Sequence, residues 1–195
     1  MVSKEQKVMR RYILTGTPGC GKTSIIRALE TTGASVVSEA ATDIIADKQM
    51  QGIAEPWENE DFIDDIIRLQ KQRQIDLSDD NSDLHFYDRS PICTYALAMY
   101  LNFKPSANLM QEIKRITNHN IYDKKVLFID NLGSIENTGA RQISFEESLD
   151  FEKIHLAAYE KFGFSCVHIQ AGPIENRVQL ILEHTADTFG PDVHM

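Results

Sequence analysis

Short apolar segments alternate along this chain with longer segments in which apolar residues recur at helical spacing. Five of the short segments are rich in β-branched and aromatic residues, and they predict strands at residues 11–15, 35–39, 83–88, 125–130 and 165–170. A helical pattern lies between each strand and the next. This alternation is typical of a parallel sheet with helices on both faces, so the sequence predicts an α/β fold with a doubly wound sheet.

Capping residues indicate where several of the helices begin. Ser90 and Ser106 each stand at the head of a helical pattern, and Ser144 with Glu147 matches a capping box. No linker or internal repeat interrupts the 195 residues. We interpret the chain as a single domain, residues 1–195, with its core at about residues 11–183 and loosely held ends.

The loop after the first predicted strand carries the most specific motif of the chain. Residues 16–23 read Gly-Thr-Pro-Gly-Cys-Gly-Lys-Thr, a complete G-x-x-x-x-G-K-T pattern, and a helical stripe follows it. The glycines let consecutive backbone N–H groups converge on a phosphate at a helix N-terminus. Lys22 would bring its charge to the β- and γ-phosphates, and Thr23 would offer its hydroxyl to Mg²⁺. The predicted nucleotide-binding residues are Gly16, Thr17, Pro18, Gly19, Cys20, Gly21, Lys22, Thr23 and Ser24.

Composition and charge narrow the range of partners. The net charge of −9 disfavours a surface for duplex nucleic acid, because phosphate contacts need clustered Lys and Arg. No apolar segment approaches the roughly 20 residues of a membrane span, and the basic start lacks the apolar stretch of a signal peptide. Cys20, Cys93 and Cys166 lack disulfide or metal spacing. We therefore expect a cytoplasmic protein with reduced thiols, no membrane or nucleic-acid partner, and a small-molecule or protein ligand.

The second, third and fourth predicted strands each end in polar residues. In a doubly wound sheet, ligands bind beyond the carboxyl ends of the strands, so these residues are candidate site residues. Asp88 and Asp130 both follow apolar runs and could support Mg²⁺, and we favour Asp88 because Arg89 adds a donor for an anionic or hydroxylated substrate. The alternative for Asp88 and Arg89 is an ion pair at the strand end. Glu39 is a candidate general base or hydrogen-bond partner of the acceptor, and its alternative is a loop carboxylate.

A polar segment with two glycines follows the fourth predicted strand and contains one arginine, Arg141. We predict a lid at about residues 131–143, in which Arg141 stabilises charge on a transferring phosphoryl group while closure excludes water. The alternative is an exposed arginine that pairs with Glu136 or Glu146.

The motifs together resemble a family of small P-loop ATPases that is filed among AAA domains and built like nucleoside and nucleotide kinases. More distantly, the chain is similar to the ribosylnicotinamide kinase domain and to deoxynucleoside kinases. The resemblance covers about residues 11–183. Besides the phosphate loop, it rests on four segments: Ser38-Glu39-Ala40-Ala41, His85-Phe86-Tyr87-Asp88-Arg89-Ser90, Gly139-Ala140-Arg141 and Ile174-Glu175-Asn176-Arg177-Val178.

The resemblance implies a three-layer P-loop NTPase fold with strand order 2-3-1-4-5. It implies that Asp88 or Glu39 serves the acceptor hydroxyl, with Arg89 nearby, that Arg141 is the lid arginine, and that Arg177 lies near the adenine. One departure is Asp130-Asn131-Leu132, where the family usually has Pro or Glu, and it weakens the assignment of the Mg²⁺ ligand. The guanine-specific N-K-x-D motif is also missing after the fourth strand, which favours ATP over GTP.

These features predict an ATP- and Mg²⁺-dependent phosphotransferase that acts on a small metabolite such as a nucleoside or nucleotide. The catalytic candidates are Lys22, Glu39, Asp88, Arg89 and Arg141. The competing hypothesis is a regulatory ATP switch that signals through a protein bound to the insertion at residues 50–80. A kinase requires a polar cleft between Glu39, Asp88-Arg89 and the helix predicted at residues 57–78, whereas a switch does not. We predict that this cleft is contiguous with the phosphate loop and that at least one of Glu39 and Arg89 reaches it. The oligomeric state stays open, with a dimer as one option.

Overall fold

The computed structural model describes residues 9–77, 82–132 and 144–186. The strands are β1 (Arg10–Gly16), β2 (Ser35–Val37), β3 (Leu84–Asp88), β4 (Lys125–Ile129) and β5 (Ser165–Ile169). The helices are α1 (Lys22–Thr31), α2 (Ala40–Met50), α3 (Asp61–Asp76), α4 (Pro91–Tyr100), α5 (Ala107–Asn118), α6 (Phe145–Lys161) and α7 (Ile174–Ala186), and a short 3₁₀ helix spans Pro56–Glu58.

The five strands form one parallel sheet in the order β2-β3-β1-β4-β5. The strand order 2-3-1-4-5 and the doubly wound α/β fold are therefore confirmed. Tyr12, Ile13 and Leu14 of β1 are completely buried, because β1 is the central strand and helices cover both of its faces.

Alternate residues of β1 pack into two different cores. Tyr12 and Leu14 lie on the side of α1 and α7, together with Ile25 and Ile181. Ile13 lies on the opposite side, where it joins apolar residues from α3, α4, α5 and α6. This period of two is what a strand imposes on its side chains, and it gives the three-layer arrangement.

Caps start the helices where the sequence predicts them. Ser90 accepts a hydrogen bond from the Ile92 N–H, Ser106 accepts one from the Leu109 N–H, and Ser144 forms the predicted capping box with Glu147. These side chains satisfy N–H groups that a helix start leaves without partners.

Two boundaries differ from the prediction. β2 pairs with β3 only from Ser35 to Val37, so Glu39 lies just ahead of α2 as its N-cap residue and not at the end of a strand. The helical pattern that begins at Ser90 predicts a helix to about Phe103, but α4 ends at Tyr100, since Asn102 takes a left-handed conformation (φ 58°) and the Phe103 N–H donates back to the Ala98 carbonyl. The chain ends and residues 133–143 of the predicted lid lie outside the described residues.

In the part of the chain that the structure describes, none of the helices combines the length and the apolarity that a membrane crossing requires.

We predict that Gly16→Ala destabilises the protein more than Gly172→Ala. Both glycines have similar positive φ values, 152° and 159°. A Cβ on Gly16 would lie 2.6 Å from the Ile129 carbonyl oxygen, whereas a Cβ on Gly172 would meet nothing within 4 Å. Overpacking of this kind should lower the free energy of unfolding by about 1–3 kcal/mol more for Gly16→Ala, as urea denaturation would measure. Equal losses would contradict the steric argument.

Candidate functional site

The loop between β1 and α1 is shaped to bind an anion. Gly19 and Gly21 have φ values of 83° and 80°, which glycine adopts without strain. Gly21 is the N-cap of α1 and provides no side-chain cap, and its carbonyl accepts from the Ser24 N–H over 3.1 Å. Thr23 and Ser24 are exposed at this turn. A helix start of this form is a phosphate site.

Two further observations fit a polyphosphate ligand. Thr17 is buried, and its hydroxyl has no hydrogen-bond partner, so the loop contains an unsatisfied polar atom. The Lys22 side chain is only 9% exposed and brings a cation to the same loop. Among residues 9–77, 82–132 and 144–186, no three His, Cys, Asp or Glu side chains are grouped so that they could hold a metal ion alone.

Lys22 pairs with Asp88, the last residue of β3. The Lys22 Nζ lies 2.5 Å from Asp88 Oδ1, and the Asp88 side chain is 10% exposed. The strand register explains the contact, because Asp88 lies opposite Leu14, near the end of the central strand. The structure thus brings together two of the predicted catalytic residues, which are 66 positions apart.

Arg89 pairs with Glu39. Its Nε donates to Glu39 Oε1 over 2.5 Å, and the two side chains are 12% and 18% exposed. Burial lowers the pKa of Arg89, but the Glu39 carboxylate outweighs it and raises the pKa above its usual range. Arg89 also has a positive φ of 71°, and its N–H donates to the Leu14 carbonyl. An uncommon backbone conformation in a charged residue is typical of a functional position.

A cleft lies beside the Arg89–Glu39 pair, and we name it the Arg89 cleft. The space between its walls amounts to about 360 Å³ when the open solvent at its mouth is counted, so the cleft is shallow and open. Its walls are formed by Glu39, Ala41, Ile66, Gln70, Arg89, Cys93, Thr94, Leu97 and Phe151. Glu39, Arg89 and α3 line the cleft as the sequence predicts, but Asp88 and the phosphate loop, which the prediction included, are not among its walls. It is more apolar than predicted, because α3 and α4 contribute Ile66 and Leu97.

Asp88 and Arg89 connect the phosphate loop to the clefts. The described walls of the Arg89 cleft include no phosphate-loop residue. A smaller adjacent cleft of about 220 Å³ is lined by Asp88, Arg89 and Gln70, among others. Asp88 thus contacts the phosphate-loop lysine and lines the smaller cleft, and its sequence neighbour Arg89 lines both clefts.

Gln70 and Thr94 are cleft residues that were not among the predicted site residues. The Thr94 hydroxyl donates to Gln70 Oε1 over 3.0 Å, from α4 to α3. Gln70 is a polar residue on the apolar face of its helix, and Thr94 lies on an apolar helix. Polar residues in such positions are the signal that could have found them.

Arg177 of α7 contacts the phosphate loop. It is 2% exposed, and it donates to the Cys20 carbonyl over 2.9 Å and to the Asp130 carbonyl over 3.1 Å. Burial lowers the pKa of its guanidinium. Arg177 therefore joins α7 to the loop and to the end of β4, and its predicted place near an adenine stays a prediction.

The Asp130 carboxylate has a different partner. Its Oδ1 lies 2.7 Å from His168 Nδ1 on β5, whereas the Asp88 carboxylate contacts Lys22. Of the two candidate Mg²⁺ ligands, Asp88 is thus the one in contact with the phosphate loop. Arg141 lies outside the described residues.

A family model described as an AAA domain matches residues 11–177. The chain belongs to this AAA-domain family. A search of curated proteins finds no match for this AAA-domain protein.

Three solved structures show which folds the AAA-domain protein resembles. The NadR protein in complex with NAD and AMP-PNP superposes with a TM-score of 0.62 at 17% identity, over 95% of this chain and 52% of that one. Thymidylate kinase from Candida albicans superposes with a TM-score of 0.57 at 11% sequence identity, over 92% of each chain. Deoxyadenosine kinase from M. mycoides with dCMP and dCDP superposes with a TM-score of 0.51 at 16% sequence identity, over 90% of this chain and 98% of that one. The AAA-domain protein has the fold of these P-loop kinases and spans about half the length of the NadR chain.

We expect the Glu39–Arg89 pair to contribute to stability through a strong mutual interaction. A double-mutant cycle with Glu39→Gln and Arg89→Gln should give a coupling energy of about 1–3 kcal/mol, because both groups are largely buried. Urea unfolding of the four proteins measures it. The matched control is the exposed pair Asp150–Lys153, with side chains 69% and 75% exposed. That exposed pair should give a much smaller coupling energy, and similar coupling in both pairs would refute the expectation.

Proposed function

We propose that this AAA-domain protein is an ATP- and Mg²⁺-dependent phosphotransferase whose acceptor is a small metabolite of the nucleoside or nucleotide class. One observation carries the proposal: Asp88 contacts the phosphate-loop lysine, while the adjacent Arg89 pairs with Glu39 at the wall of a separate cleft. A phosphotransferase needs two such sites side by side, one for the donor and one for the acceptor.

The donor would lie in the phosphate loop. The N–H groups at the start of α1 and the Lys22 ammonium would hold the phosphates, and the Thr23 hydroxyl and the Asp88 carboxylate would hold Mg²⁺, which neutralises charge on the phosphates. In this proposal, Lys22 and Asp88 neutralise each other before binding, and each then exchanges its partner for the nucleotide or its cation. The exchange keeps both buried charges paired.

The acceptor would lie in the Arg89 cleft. Glu39 would accept a proton or a hydrogen bond from the acceptor hydroxyl, and Arg89 would orient Glu39 and bind anionic or polar groups of the acceptor. Gln70 and Thr94 supply hydrogen-bonding groups on the cleft wall, and Ile66 and Leu97 supply apolar surface suited to a flat ring. We further propose Arg141 as the lid arginine and Arg177 as a neighbour of the base, in a cytoplasmic protein.

The similar structures support this class of ligand. The NadR structure contains NAD and AMP-PNP, and the deoxyadenosine kinase structure contains dCMP and dCDP. The third protein is a thymidylate kinase by name. Each combines the same fold with a nucleotide or nucleotide-like ligand or substrate, so the class carries over to this protein as part of the proposal.

The decisive experiment incubates the protein with ATP, Mg²⁺ and a panel of nucleosides and nucleoside monophosphates. We expect ADP formation that depends on one class of acceptor, with the phosphorylated product identified by mass spectrometry. Lys22→Ala should reduce the rate at least about 100-fold, because it removes the cation from the phosphates, whereas the exposed Lys153→Ala should not. ADP formation that no acceptor increases would instead favour the regulatory ATP switch.

A second experiment ranks the two candidate Mg²⁺ ligands. We predict that Asp88→Asn weakens Mg²⁺-dependent ATP binding by at least about tenfold, since it removes a charged ligand next to Lys22. Asp130→Asn should have a much smaller effect, because that carboxylate pairs with His168. Calorimetric titration of ATP with and without Mg²⁺ measures both variants. A larger effect of Asp130→Asn would move the assignment to the end of β4.

A further inference from the structure

The chain leaves the sheet just ahead of Glu39. The ladder between β2 and β3 ends at the pair of Val37 with Tyr87, so strand pairing does not hold Ser38 and Glu39. Glu39 is the N-cap residue of α2, and its side chain does not cap that helix. If the Glu39 carboxylate is to act on an acceptor, other contacts have to fix its position, because a displacement of about 1 Å is costly in catalysis.

Arg73 of α3 holds this segment at two points. Its Nη1 donates to the Ser38 carbonyl over 2.9 Å, and its Nη2 donates to the Asp43 carboxylate in the first turn of α2. One planar guanidinium therefore bridges the residue before Glu39 and the helix turn after it. Arg73 and Ser38 also line the smaller cleft.

The same helix turn carries a partner of the Glu39 carboxylate. The Thr42 hydroxyl donates to Glu39 Oε2 over 2.8 Å, while Arg89 Nε donates to Glu39 Oε1 over 2.5 Å. Both carboxylate oxygens are therefore directed by neighbouring side chains, and Thr42 lies in the turn that Arg73 holds. A shift of this turn would carry the Glu39 backbone and Thr42 away from Arg89, which follows β3.

We propose that Arg73 is a positioning residue for Glu39: its guanidinium fixes the turn from Ser38 to Asp43, so that the Glu39 carboxylate meets Arg89 at the wall of the Arg89 cleft. The consequence for catalysis rests on the proposed phosphotransferase function, in which Glu39 serves the acceptor hydroxyl. The structural consequence does not, because the contact between Glu39 and Arg89 can be measured in the protein alone.

A second ion pair between α2 and α3 provides a matched control. Lys48 Nζ lies 2.7 Å from Asp65 Oδ2, and the Lys48 side chain is 29% exposed, close to the 23% of Arg73. Lys48 lies in the last turn of α2, whereas Glu39 precedes the first turn. Loss of the Lys48 pair therefore removes a comparable contact between the same two helices without touching the segment that carries Glu39.

The first experiment repeats the Glu39–Arg89 double-mutant cycle in two backgrounds, Arg73→Gln and Lys48→Gln, with urea unfolding as the measurement. In the Arg73→Gln background, the coupling energy should fall to less than about half, because the Glu39 carboxylate no longer meets Arg89. In the Lys48→Gln background, it should stay unchanged.

This cycle separates positioning from a general contribution to stability. A residue that only stabilises the fold lowers the stability of all four proteins of the cycle alike and leaves the coupling unchanged. An unchanged coupling in the Arg73→Gln background would therefore overturn the proposal, and so would an equal fall in the two backgrounds.

Arg73→Lys tests the two-point contact, and it decides the proposal if circular dichroism shows that Arg73→Gln does not fold. Lysine keeps the charge, but one ammonium group on a flexible stem does not replace two donors in a fixed plane. The Glu39–Arg89 coupling should fall in this variant too. A coupling equal to that of the wild-type background would contradict the proposal.

The second experiment measures phosphorylation of the acceptor that the panel identifies, together with the affinity for ATP. Arg73→Gln should lower kcat at least about tenfold, while the Kd for ATP stays within about twofold, because Lys22 and Asp88 are untouched. Lys48→Gln should change neither. Equal losses in kcat and in ATP affinity would contradict a role at Glu39.

The two experiments distinguish failure of this proposal from failure of the proposed function. A lowered coupling with an unchanged kcat would support Arg73 as the positioning residue and refute the role of Glu39 in phosphoryl transfer. If no acceptor is phosphorylated, the proposed function fails, and the coupling in the Arg73 backgrounds alone decides the role of Arg73.

Discussion

The pairing of β1 with β3 is the constraint on which the candidate site depends. It sets Asp88 opposite Leu14 and lets the Arg89 N–H donate to the Leu14 carbonyl. Because side chains alternate along a strand, a shift of one residue would bring Arg89 to the position next to Lys22 and replace an attraction by a repulsion. The apolar faces of β1 hold the register, since Tyr12, Ile13 and Leu14 each fill a core.

Paired charges are the second feature of the site. Lys22 with Asp88 and Arg89 with Glu39 are largely buried, and an isolated buried charge would cost several kcal/mol. Each pair therefore avoids an uncompensated buried charge and places charges of both signs beside the cleft or the phosphate loop. In the proposed phosphotransferase, a polyphosphate with its cation would replace the partners of Lys22 and Asp88 without leaving either charge unpaired.

The start of α4 links the cleft to the protein interior. Ser90 caps the helix and hydrogen-bonds the Tyr159 hydroxyl over 3.0 Å, and Cys93 contacts the same hydroxyl one turn later. Arg89 comes directly before this turn. The contacts of Ser90 and Cys93 with Tyr159 therefore tie the turn that follows Arg89 to α6.

The sequence by itself determined the α/β fold, the phosphate loop and most helix starts, because periodicity, glycine spacing and capping serines act within a few residues of each other. It also placed Glu39, Asp88 and Arg89 near the carboxyl ends of the strands. Only the tertiary structure decided how these charges pair, that Glu39 precedes α2 after a shortened β2, and that Gln70 and Thr94 meet across the cleft. Those contacts join residues 24 to 66 positions apart, and their partners are chosen by strand register and helix packing, which no local pattern encodes.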